Sequence, residues 1–246
     1  LRQLHAEYRE EYRQYYDRHA RPETPPMRGA DPAIFLIPGV GMFSFGADRQ
    51  TAQVAGEFYI NAINVISGAE AVSTYTPVSE AEKFAVEYWM LEELKLRRRP
   101  APKALTGKVA VVAVGAAAGV ETAIGRAVAR EFENAGAVVV VADKDEAAAV
   151  DAAVLQFGGV DIIVGPSHTH AVAAMTAQRS GGDIVQLGGT KSMVAERAIE
   201  LAECGIRVNG IIFDDDPDGL AVAQAARALV DGSLAKTTGL IIPIGQ

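Results

Sequence analysis

The chain has 246 residues, enough for one or two domains, and 49% of them are hydrophobic, enough for a sizeable core. Its net charge of −8 argues against nucleic acid or an anionic membrane surface as partner. One cysteine, Cys204, excludes an internal disulfide framework and fits a reducing compartment, so a cytoplasmic location is expected. The sequence carries no signal-peptide pattern and no apolar run long enough to span a bilayer. It opens on Leu1, as a processed or partial polypeptide would.

Leu1 to Ala20 reads as a helix, with Leu4, Tyr8, Tyr12, Tyr15 and Tyr16 at helical spacing. The plain reading is an amphipathic helix packed on a neighbour; the sharper one is a tyrosine-lined ligand surface. Arg21 to Pro32 holds four prolines and reads as an extended connector. Ala33 to Gly46 predicts a buried strand, a Pro-Gly turn and a second strand. Arg49 to Ser67 predicts a helix with an apolar face of Val54, Phe58, Ile60, Ile63 and Val65. A second helix is expected up to Arg99, capped by Ser79 with Glu82 and burying Phe84, Tyr88, Trp89 and Leu91. Arg97, Arg98 and Arg99 suit a solvated helix end, where cations favour the dipole, with a phosphate site as the alternative.

Pro100 to Gly107 marks a boundary. All seven tyrosines and the single tryptophan precede Pro100, and Ala, Val, Gly and Ile dominate the 139 residues after Gly107. The expected division is a helical segment 1–100, a linker 101–107 and an α/β domain 108–246.

The stretch from Lys108 to Asp143 organises that domain. An apolar run, Val109 to Val114, is followed by Gly115, Gly119 and Gly125, a helical run from Ala123 to Asn134, a second apolar run from Ala137 to Ala142, and Asp143. Strand, glycine turn, helix, strand and acid is the order of a dinucleotide-binding unit. Glycines let backbone N–H groups approach a pyrophosphate at the helix N-terminus, and the acid can accept from ribose hydroxyls. The spacing departs from the usual pattern: Glu121 stands where a third glycine usually falls, and Gly115 to Asp143 spans 28 positions against about 20.

Alternation then continues. Helices are expected at Glu146–Phe157, Thr169–Gln178, Ser192–Glu203 (with Thr190 as cap) and Leu220–Val230. Strands are expected at Val160–Val164, Asp183–Leu187, Ile206–Phe213 and Gly239–Ile244. Continuous apolar strands joined by helical crossovers predict a parallel sheet buried on both faces.

Several of these stretches resemble the short-chain dehydrogenase/reductase family: GKVAVVAVG, AIGRAVAREFENAGAVVVVADKD, FGGVDIIV, GGDIVQL, TKSMVAERAIELAECGIRVNGI and AKTTGLIIPIG. The front portion narrows the resemblance. LIPGVGMFSFG, TAQVAGEFYINAINVISGAEAVSTY and EYWMLEELKLRR resemble the tail of the aldolase part of bifunctional rhamnulose-1-phosphate aldolase/short-chain dehydrogenase proteins. The resemblance covers nearly the whole chain. It implies a Rossmann-type doubly wound domain after a class II aldolase-like tail, NAD as cofactor, lactaldehyde as substrate, and a homo-oligomer or a larger aldolase–dehydrogenase assembly.

Departures from the family shape the expected function. The family's chemistry rests on a Tyr-x-x-x-Lys pair, and Lys191 stands at the lysine position with Leu187 at the tyrosine position. No tyrosine follows Tyr88. The Asn-Asn-Ala-Gly stretch of the family is here Gly165-Pro166-Ser167-His168. Only 16 residues, Lys144 to Gly159, separate the second and third strands of the domain, too few for the family's usual helix, strand and helix. About six strands in the order 2-1-3-4-5-6 follow, with the Asp143 strand at the edge. Val40 precedes Gly41 where class II aldolases commonly carry a zinc-binding His-Gly, so no metal and no aldolase activity is expected of this chain alone.

The expected ligand site is the crevice at the switch point, walled by Gly115–Gly125, Gly165–His168 and Gly188–Lys191. Cofactor contacts are expected from Gly115, Gly119, Gly125, Asp143, Gly165 and Lys191. Ser167-His168-Thr169-His170 could be a solvated helix start, a metal pair completed from Asp214–Asp218, or a source of a general base. Asp214–Asp216 reads as a solvated loop, and Gly188-Gly189-Thr190-Lys191-Ser192 only partly matches a phosphate loop. Two functions remain: a degenerate relative with an assembly or ligand-binding role, or an active NAD-dependent oxidoreductase of a small hydroxy-aldehyde.

Overall fold

The computed structural model describes residues 2–114, 122–213, 217–234 and 237–245. The chain divides into two compact units, Leu1–Ala101 and Pro102–Gln246.

The first unit begins with helix α1 (Arg2–His19), then a hairpin of β1 (Ile34–Ile37) and β2 (Gly41–Ser44), with Phe35 paired to Phe43. Helices α2 (Arg49–Val72), α3 (Glu80–Glu87) and α4 (Met90–Arg97) follow. Its core is small. Tyr15, Phe84 and Tyr88 are buried, with Tyr12 and Tyr16 packed against them. Phe84 and Tyr88, one helical turn apart, stack at 4.6 Å between centroids. The Tyr12 hydroxyl lies 2.7 Å from that of Tyr88, and the Tyr15 hydroxyl donates to Glu87 at 3.1 Å. Burial first, and Glu87 second, push the Tyr12 and Tyr15 hydroxyls above the usual phenol range. The tyrosines therefore clasp α1 to α3, which is the plain reading of that helix.

Three expectations for this unit need correction. The helix predicted up to Arg99 breaks at Trp89, whose backbone is extended (φ −66°, ψ 126°). Tyr88 stays in the tyrosine cluster, while Trp89 and Leu91, expected to be buried, are each 51% exposed. The first strand of the hairpin is not buried either: Ile34 and Phe35 are half-buried, and Leu36 and Ile37 are exposed. Finally, α2 is longer than expected and buries only Gly56, so its apolar residues face outward. The capping box of Ser79 with Glu82 is present as expected.

The second unit is a six-stranded parallel sheet. Its strands are β3 (Val109–Ala113), β4 (Val138–Ala142), β5 (Ile162–Gly165), β6 (Gly182–Leu187), β7 (Ile206–Phe213) and β8 (Ile241–Ile244). The order is β4-β3-β5-β6-β7-β8, which is the expected 2-1-3-4-5-6. Helices α5 (Thr122–Asn134) and α9 (Gly219–Val230) cover one face; α6 (Glu146–Phe157), α7 (Thr169–Gln178) and α8 (Lys191–Leu201) cover the other. Each face has its own core, one around Val112, Phe132 and Ile211, the other around Val111, Ile163 and Met175. Alternate residues of β3 serve opposite cores, as the period-two geometry of a strand requires. This is a Rossmann-type doubly wound fold.

Leu105, assigned to the connector by composition, is 1% exposed and belongs to the core under α5. Its N–H donates to the Ala135 carbonyl at 2.9 Å. Leu105 is thus anchored in the core, while Pro102, Lys103, Ala104 and Gly107 around it stay exposed.

Candidate functional site

The carboxyl ends of β3, β4 and β5 meet in one place. A cleft of about 290 Å³ opens there, lined among others by Ala113, Ala142, Lys144, Glu146, Ser167 and His170. Two turns make its walls, one from β4 into α6 and one from β5 into α7. They face each other because α6 returns directly over β3 and β4 to reach β5.

Each turn is fixed by side chains. Asp145 caps α6, accepting from the backbone of Ala147 at 2.9 Å and of Ala148 at 3.4 Å. Glu146 spans the cleft: one carboxylate oxygen accepts from the Ser167 hydroxyl at 3.0 Å, the other from the Ala171 N–H at 3.2 Å. Glu146 therefore serves the first turn of α7, where the helix dipole favours an anion. The sequence reading missed both acids. An acid directly before a helical run was a visible capping signal for Asp145; nothing local in sequence links Glu146 to Ser167, 21 residues away.

The expected site residues divide into three groups. Asp143 is exposed just after the end of β4, but its neighbours Ala142 and Lys144, not Asp143 itself, line the cleft. Gly165 ends β5 and has no room for a side chain: a Cβ would stand 2.9 Å from that of Ala113. Gly125 is buried on α5, where a Cβ would overlap the Ala113 carbonyl oxygen and come within 2.9 Å of Val114. It brings α5 against β3, the role of the helix-packing glycine in dinucleotide units. Gly115, Gly119 and Glu121 lie outside the described residues, as do Asp214–Asp216.

The third group departs from the expected site. Lys191 is the first residue of α8 and is exposed. Leu187 is the last residue of β6, 4% exposed, in the core with Val112 and Ile211. A Tyr-x-x-x-Lys pair needs both residues on one helix, a turn apart. Here Gly188 and Gly189, both with positive φ (73° and 86°), separate them. Positions 187 and 191 therefore lie on different elements. The wall assigned to Gly188–Lys191 is also replaced by Lys144–Ala147 in the cleft lining.

The two histidines diverge. His170 is exposed on the cleft rim. His168 is 3% exposed, and its Nε2 is 2.5 Å from the Gln186 Oε1. The Gln186 amide donates to the carbonyls of Pro166 (3.3 Å) and Leu187 (3.4 Å), which assigns its oxygen to His168 and the imidazole proton to Nε2. Nδ1 is buried with no partner among the described residues. Among the described residues no group of three or more His, Cys, Asp or Glu could hold a metal.

Burial is the main cause that holds the His168 imidazole below its ordinary range; Gln186 opposes it, Arg197 adds to it and Glu146 opposes it. A second proton would give Nδ1 an N–H with nowhere to donate. The neutral form is favoured in the fold, so below about pH 6.5 the unfolded chain takes up the proton first. The expected result is that stability present above that pH is lost on acidification. Urea titrations at pH 7.5 and 5.5 should show a smaller difference for His168→Gln than for the unsubstituted chain. An equal difference would remove this account.

The fold and the cleft define a class, a Rossmann-type α/β unit with a cleft at the strand carboxyl ends. Comparison with known proteins adds relatives for each unit. Residues 1–96 match the family model described as aldolase class II, second domain. A curated relative is an uncharacterized oxidoreductase, YuxG, of Bacillus subtilis (strain 168), 26% identical over 293 aligned positions. That alignment takes in 86% of this chain and 42% of the relative, so the chain spans about two fifths of the relative's length. The 293 positions exceed the 246 residues of the chain, so the relative carries segments absent here. Among solved structures, a hydroxysteroid dehydrogenase from Escherichia coli is similar at 20% identity, with a TM-score of 0.49, over 60% of this chain and 98% of that one. A short-chain type dehydrogenase/reductase from Mycobacterium marinum gives 18% identity and a TM-score of 0.48, over 57% and 94%. No helix among the described residues is long and apolar enough to cross a membrane.

Proposed function

We propose that the second unit holds a nucleotide, with NAD as the expected ligand, and has lost the proton donor of its dehydrogenase relatives. The observation that carries this reading is the placement of Leu187 in the core of β6, with Lys191 alone at the start of α8. No tyrosine lies in the second unit to take its place.

The residues fit one half of the cofactor. An exposed carboxylate at Asp143 suits ribose hydroxyls, and the side-chain-free approach at Gly125 keeps the helix start against the strand. Bound NAD would supply hydride chemistry. This chain's own residues would bind and orient the adenosine half between the two turns, and no tyrosine of the second unit is there to exchange a proton with a substrate.

The first unit fits the same reading as the end of a class II aldolase-like part, supported by the match over residues 1–96. The chain would then be related to aldolase–dehydrogenase polypeptides of rhamnose catabolism, with an assembly or ligand-binding role.

Titration of NADH, followed by its fluorescence, tests the nucleotide reading. Saturable micromolar binding is expected, weakened about tenfold in Asp143→Ala, the scale of a hydrogen bond to a charged group. Absence of saturation would exclude a nucleotide role. Lactaldehyde oxidation that disappears in Lys191→Ala would show that the chemistry survives.

A further inference from the structure

Strand β4 ends the sheet, and among the described residues no strand pairs with its outer edge. Over Val138–Ala142 it reads Val-Val-Val-Val-Ala, with no charge, proline or bulge. The opposite edge, β8, contains Pro243. Proteins usually blunt exposed edges with lysine, proline or irregular backbone, because unpaired N–H and C=O groups template further pairing. Val141 is 45% exposed, while Val138, Val139 and Val140 are half-buried.

The hydrogen-bond pattern says which groups are free. Val138 donates to the Lys108 carbonyl at 2.8 Å, and Val114 donates to the Ala142 carbonyl at 3.0 Å. Even-numbered residues of β4 therefore bond to β3, and the alternation of a parallel ladder turns Val139 and Val141 outward. These two residues offer two donors and two acceptors, spaced two apart.

We infer that this edge pairs with the same edge of a second copy of the chain, antiparallel about a two-fold axis at Val140. In that register Val139 of each copy faces Val141 of the other. Residues facing each other in a hydrogen-bonded antiparallel pair exchange both bonds, so all four outward groups are used. The arrangement is self-complementary, as a two-fold interface must be, and it joins two six-stranded sheets into one. In that register Val138–Ala142 faces the same all-aliphatic stretch of the other copy, so no like charges are set against each other within the strand pair.

Val140 would face its own counterpart in a non-hydrogen-bonded pair, about 4.5 Å between Cα atoms, within reach of a disulfide. The test uses the full chain with Cys204→Ser and Val140→Cys. Mild oxidation is expected to give a covalent dimer on non-reducing gels; an oxidised sample that stays monomeric overturns the proposal. Sedimentation provides the second arm. The unsubstituted chain is expected to be dimeric at tens of micromolar, and Val141→Lys to shift it to monomer with an unchanged circular-dichroism spectrum. A monomeric parent, or a dimer that survives Val141→Lys, also overturns it. Val139→Pro should act like Val141→Lys, since it removes an outward donor and leaves the β3 ladder intact.

Discussion

Gly125→Ala is expected to destabilise the second unit by about 1–3 kcal/mol, the scale of overpacking a filled site. The added methyl would overlap the Ala113 carbonyl oxygen, and Val114 Cα would be 2.9 Å away. Both are backbone, so α5 itself would have to withdraw from β3. Helix propensity pulls the other way, since alanine is favoured over glycine by about 1 kcal/mol within a helix. The clash should win because Ile124, Val128 and Phe132 on the same helix are buried and would lose their fit together. Gly68→Ala is the control. Gly68 lies in α2 with nothing within 4 Å of an added Cβ, so there the propensity term acts alone. Chemical denaturation read by circular dichroism should give opposite signs for the two substitutions. A stabilising Gly125→Ala would mean that α5 does not pack as described.

The second large effect concerns Leu187. By sequence spacing, Leu187→Tyr would rebuild the family pair with Lys191. The structure predicts otherwise. Position 187 is on a strand and points into the core beside Val112 and Ile211, so a phenol there would not reach the cleft. The hydroxyl would be buried among aliphatic groups, and the larger ring would strain them, for a combined cost of about 2–5 kcal/mol. The variant should lose stability on thermal denaturation and gain no oxidation of small hydroxy-aldehydes. Turnover that depends on Lys191 would show instead that the β6–α8 turn rearranges to place the ring on a helix.

The strands and helices after Gly107 were legible because long apolar runs and helical periodicity alternate there with few interruptions. The sheet order followed from the short Lys144–Gly159 connection, which leaves room for one helix and no further strand. Gly125 and Gly165 stand at the predicted helix and strand end, and the structure gives both a packing role, since a Cβ at either would crowd Ala113. The front unit was read less well. Apolar periodicity in α2 and around Trp89 signalled burial, yet those side chains are exposed, because periodicity reports an apolar face and not what covers it.

The cleft's walls were the least legible part. Glu146 bonds to Ser167 and to Ala171, and His168 is paired with Gln186, across separations of 18 to 25 residues. Such pairs form only when two strand ends are brought side by side. The sequence by itself determined a parallel, doubly wound sheet with an acid at the end of its second strand and no tyrosine to serve Lys191. Only the tertiary structure decided that Leu187 belongs to the core and that the Lys144–Ala147 turn forms the cleft. The reason is physical: periodicity and glycine spacing are local properties of the chain, whereas burial and opposing turns depend on which distant segments become neighbours.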